Sequence, residues 1–118
     1  MSDFVDIASM SEVQDGTMKK SIVGGREILL ARAGDRYYVV DNRCPHMGGD
    51  LSQGILKGTM VTCPLHHSQF DLSDGRVLRW TDWRGFKLSA AKLFKAPRNL
   101  KTHEVKIENG RILVKLKE

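Results

Sequence analysis

Cys44-Pro45-His46 is matched further along by Cys63-Pro64-Leu65-His66, in a chain of 118 residues that holds only two cysteines. Sixteen residues separate His46 from Cys63, so the pattern reads C-x-H-x16-C-x-x-H. Thiolate and imidazole are both good ligands for borderline and soft transition metals. Two such ligands from each of two loops can close a metal site unaided. A disulfide between the cysteines is the weaker reading, because no leader-like apolar run opens the chain and a reducing compartment is expected.

The ligand set leaves two candidates. Zinc would take all four side chains in one tetrahedron, but paired zinc knuckles usually place two residues between their ligands, and the first pair here has only one. An iron-sulfur centre of two irons, approached by the loops from opposite sides, accommodates the short spacer more easily.

The rest of the chain reads as all-β and as a single domain over 1–118, a size that suits one domain with a modest core. β-Branched and aromatic runs alternate with glycine turns, and no long stretch has helical periodicity. Phe4 to Ala8, Thr17 to Val23, Glu27 to Ala33 and Arg36 to Asp41 are expected strands. Ser11 is the expected cap of a helical turn through Glu12 and Val13. Thr102 to Glu108 and Arg111 to Lys117 flank Asn109-Gly110, the dipeptide that type I′ hairpin turns favour because both residues need positive φ. Residues 42–75, rich in glycine and poor in long strands, form an expected loop-rich, metal-ordered subdomain inserted in this β base. His103, within a strand, is expected at the surface.

Net charge is +5 and unevenly spread. Residues 79–101 carry seven basic residues against Asp82, a net of +6, and the remaining twelve basic and thirteen acidic residues come to −1. This basic, aromatic insert, with Ser89 a candidate helix cap, is most simply a packed flap. An acidic redox partner or a nucleic-acid patch are the lesser readings. Neither nucleic acid nor a membrane is an expected partner, and no apolar run reaches the length of a membrane span.

CPHMGGDL and CPLHHSQFD resemble the two cluster-binding loops of the Rieske family, and the chain is most similar to its small soluble ferredoxins. The resemblance implies an antiparallel Rieske-like β-sandwich and a [2Fe-2S] cluster, with Cys44 and Cys63 on one iron and His46 and His66 on the other. It implies an electron carrier of a multi-protein oxidoreductase system, such as a dioxygenase system, and not an enzyme. The carrier would be cytoplasmic, taking electrons from a reductase and passing them to an oxygenase or another acceptor. Ser68 matches a serine that high-potential members place near the sulfurs, Gly48 is expected beside the cluster, and family members have a third covering loop where this chain has Pro97. High-potential members add a cysteine pair at positions matching Gly49 and Leu65, and a tyrosine where this chain has Phe70. Those departures imply a potential in the lower half of the Rieske range. His67 stands where the family commonly has glycine, and histidine is among the less costly residues there if the loop needs positive φ. His67, Arg84 and Lys87 are the candidate docking residues. A small subunit of a larger reductase, such as a nitrite-reductase-like assembly, and a structural zinc module are the alternative functions.

Overall fold

The computed structural model describes residues 4–44, 48–64, 67–79 and 99–117. Two antiparallel sheets make up the described chain. The first runs in the order β1-β10-β9-β4-β3-β2 and is built from β1 (Val5–Ser9), β2 (Met18–Val23), β3 (Arg26–Ala33), β4 (Arg36–Asp41), β9 (Thr102–Glu108) and β10 (Arg111–Lys115). The second, β5-β6-β7-β8, consists of three-residue strands: β5 (Ile55–Lys57), β6 (Met60–Thr62), β7 (Gln69–Asp71) and β8 (Val77–Arg79). Short 3-10 turns at Met10–Glu12 and Leu51–Gln53 complete it.

β3 explains how the sheets are joined. Its sequence carries four consecutive apolar residues, Ile28 to Ala31, all buried. Side chains alternate along a strand, so such a run serves two apolar faces. Ile28 and Leu30 join Tyr37, Val39, Ile112 and Val114 in the core of the large sheet. Leu29 and Ala31, with Val40, face the other way and pack against Leu51, Val61, Phe70, Leu72 and both cysteines. The described part of residues 42–75 therefore has an apolar floor of its own, in addition to whatever order bound metal supplies. Burying a side chain of this size contributes about 1.5–3 kcal/mol.

Two local expectations change. Ser9, not Ser11, caps the first 3-10 turn, its side chain accepting from the Ser11 N–H, because the preceding strand ends at that residue. His103 is buried, not exposed. The pairing of β9 with β4 sets it beside Val39 and packs it under the chain end, where its Nδ1 accepts from the Lys117 N–H at 3.0 Å and its Nε2 lies 2.8 Å from Asp41 Oδ1. The Lys117 bond requires an unprotonated Nδ1, so Nε2 carries the hydrogen and donates to Asp41. Burial lowers the His103 pKa, with Asp41 opposing that shift. A depressed histidine pKa means that the native state binds fewer protons than the unfolded one, so stability is intact above about pH 6.5 and falls as pH drops toward the native value. The thermal midpoint of the holoprotein is therefore expected to fall more steeply between pH 7 and 5 than that of His103→Gln. Parallel slopes would rule the linkage out.

A candidate metal centre on two matched loops

Cys44 follows β4 through Asn42 and Arg43, and Cys63 follows β6 directly. From each cysteine the described residues make the same closing hydrogen bonds. The Cys44 N–H donates to Gly49 O at 2.8 Å, and the Gly48 N–H donates back to Cys44 O at 2.8 Å. The Cys63 N–H donates to Ser68 O at 2.8 Å, and the His67 N–H donates back to Cys63 O at 3.1 Å. In both loops the residue four places after the cysteine has positive φ, +74° at Gly48 and +59° at His67. The loop does need positive φ at His67, where it falls on an exposed residue.

Both cysteines are buried outside any disulfide, 2% and 1% exposed, and share one core cluster. Ser68 is fully buried in the second loop. His46 and His66 lie outside the described residues, as do Pro97, Arg84, Lys87 and Ser89. The described part of the centre is therefore its sulfur half: two buried soft donors on loops of matched geometry. That arrangement fits a cluster that takes equivalent ligands from two sides.

The first loop rests on a polar network that sequence reasoning did not find. Asn42, fully buried, donates from Nδ2 to Asp50 Oδ1 at 2.8 Å and accepts the Ser52 N–H at 3.0 Å. Burial pushes the Asp50 carboxyl up, but donors from Ser52 and Asn42 and the Lys20 ammonium overcome it and hold the pKa at about 2. Glu27, its pKa lowered chiefly by its hydrogen bond with Arg43, takes that guanidinium bidentately at 2.8 and 3.0 Å. The only sequence sign of this network is adjacency: Asn42 and Arg43 precede the first cysteine, and Asp50 closes its loop.

Comparison with known proteins follows the same lines. The profile of the Rieske [2Fe-2S] domain matches residues 3–104. The ferredoxin component of the naphthalene 1,2-dioxygenase/salicylate 5-hydroxylase systems of Ralstonia sp is 32% identical over 114 residues, spanning 97% of this chain and 96% of that protein. The ferredoxin component of the naphthalene 1,2-dioxygenase system of Pseudomonas aeruginosa is 30% identical over 96% of this chain and 95% of its own length. Among solved structures, the ferredoxin of carbazole 1,9a-dioxygenase from Nocardioides aromaticivorans IC177 superposes with a TM-score of 0.81 at 24% identity, covering 98% of this chain and all of that one, and shares its fold.

The chain belongs to the Rieske [2Fe-2S] domain family. Its cofactor is a [2Fe-2S] cluster, and it is an electron carrier of the ferredoxin type, not a catalyst in its own right. No helix among the described residues is long and apolar enough to cross a membrane.

Proposed function

We propose that Cys44 and Cys63 bind one iron of the cluster and His46 and His66 the other, and that the chain passes single electrons from a reductase to an oxygenase in the cytoplasm. The observation that carries the ligand reading is the matched set of hydrogen bonds closing the two loops, each of which opens on a buried cysteine. When bound, the cluster supplies one-electron exchange. The two thiolates cancel the positive charge of the oxidised core, and neutral imidazoles add none, whereas four thiolates would leave two negative charges. A neutral centre accepts an electron more readily, which places histidine-ligated centres at roughly −150 to +300 mV against about −400 mV for plant-type ferredoxins. Phe70, fully buried, brings no hydroxyl to the sulfurs, so the lower half of that range is expected.

Residues 42–75 are the cluster-binding subdomain in this reading, inserted between β4 and the C-terminal hairpin. Ser68 and Gly48 shape the loops from within, and Pro97, outside the described residues, is assigned to the third loop by the family resemblance alone. His67, Arg84 and Lys87 form the docking face for the redox partner. The partnership is tested by reconstitution: omitting this chain from a mixture of reductase and oxygenase is expected to stop substrate turnover, and undiminished turnover would refute the carrier role there.

Ligand imidazoles give a second test. Reduction adds negative charge beside them and raises their pKa, so the potential is expected to fall as pH rises through the oxidised-state values, by up to about 59 mV per pH unit for each proton coupled. A potential constant from neutral to strongly alkaline pH would contradict histidine ligation.

A further inference from the structure

In each of the two loops an arginine grips the carbonyl oxygen at the equivalent position, four residues after the cysteine. Arg43 Nη1 donates to Gly48 O at 3.2 Å. Arg79, from β8, donates to His67 O through both Nε and Nη2, at 3.1 and 2.9 Å. Gly48 and His67 are the positive-φ residues at which the loops reverse, so fixing that carbonyl fixes the reversal.

The loops differ in what they need. Glycine adopts positive φ freely, while an L-residue there carries steric strain. Gly48 needs no help to stay left-handed. His67 does, and it receives two donors from one cationic group, a stronger contact than a neutral hydrogen bond. Arg43 is already engaged by Glu27 and spares one nitrogen for its loop. Arg79 makes no ion pair among the described residues and commits two donors to His67.

We infer that Arg79 is a positioning residue for the cluster: by holding the peptide between His67 and Ser68 it keeps His67, the residue directly after His66, in the left-handed conformation and so holds that side of the centre in place. The inference rests on the proposed ligation by His66. It accounts for a histidine where the turn would suit glycine, since the cross-strand clamp from β8 to the loop offsets the strain. Arg79→Gln then releases a strained loop, and a glycine at position 67 makes the clamp dispensable.

The test uses the holoprotein, with dithionite as the one-electron reductant. The wild-type spectrum in electron paramagnetic resonance is recorded first, so that failure of histidine ligation itself is seen there and is not confused with failure of the clamp. Arg79→Gln is expected to shorten the half-life of the visible absorbance in the presence of an iron chelator at least fivefold and to shift the g values of the reduced centre. Arg79→Lys is expected to recover part of both, and Arg79→Gln combined with His67→Gly to recover a half-life within twofold of wild type. Unchanged half-life and g values in Arg79→Gln, or no recovery on adding His67→Gly, would overturn the inference. If Arg79→Gln alone does not fold, the comparison is made within the His67→Gly background, where the substitution must alter the half-life less than twofold and a larger loss overturns the clamp.

Discussion

Replacing His46 and His66 together by cysteine is expected to lower the reduction potential by about 250 mV or more, the gap between the lower half of the Rieske range and plant-type ferredoxins. The cause is charge. Two further thiolates turn a neutral oxidised centre into a dianion, and the incoming electron must then be added against that charge. For a one-electron couple, 59 mV is a tenfold change in equilibrium, so the expected shift makes the reduced form about ten-thousandfold less favoured. A potentiometric titration followed by visible absorbance measures it. The single variant His66→Cys, which adds one charge, is expected to fall between the two. A double variant within about 59 mV of wild type would show that the imidazoles do not set the charge of the centre.

The second large effect is structural. Gly75 closes the turn between β7 and β8 at a φ of +77°, and a Cβ there would collide with the carbonyl oxygen of Leu100 and press on Thr102 Cγ2. That carbonyl cannot simply retreat. The Leu100 N–H donates to Gly75 O at 2.7 Å, and Leu100 is buried in the core cluster shared with the cysteines. Gly75→Ala combines about 1–2 kcal/mol of left-handed strain with about 1 kcal/mol for a weakened hydrogen bond and further cost from displacing Leu100, so a loss of about 3 kcal/mol or more is expected. Gly24 also has positive φ, but nothing stands near its Cβ position, and Gly24→Ala isolates the strain alone. Gly54, whose φ is ordinary, isolates the collision, since a Cβ would strike Thr62 O one residue before Cys63. Chemical denaturation of the three variants separates the effects. Gly75→Ala no worse than Gly24→Ala would contradict the packing argument.

Much of the fold could be read from local chemistry. The bounds of β4 and β9 follow from β-branched and aromatic runs between turn residues, and Asn109 and Gly110 have the positive φ values that their dipeptide implies, +52° and +76°. At His67 the sequence offers only a hint, a histidine where the family commonly has glycine, and the structure supplies the positive φ, +59°. What could not be read depends on contacts distant in sequence. His103 looks like any strand residue until β9 is set between β10 and β4, where it meets Asp41 and the Lys117 amide. Arg79 looks like one more member of a basic insert, yet its partner is a backbone carbonyl twelve residues earlier. A backbone acceptor leaves no mark in a sequence. The apolar floor under the loops was hidden for a related reason: Leu51, Val61, Phe70 and Leu72 are scattered among glycines and polar residues, and only the pairing of β6 with β7, together with the 3-10 turn that carries Leu51, brings them together against β3.

Histidine ligation of one iron is the central claim, and electron paramagnetic resonance of the dithionite-reduced protein addresses it most directly. Imidazole donors on the reducible iron are expected to give a rhombic signal with an average g below that of all-cysteine clusters. An average g equal to that of all-cysteine ferredoxins, or no signal from protein containing iron and sulfide, would contradict the account.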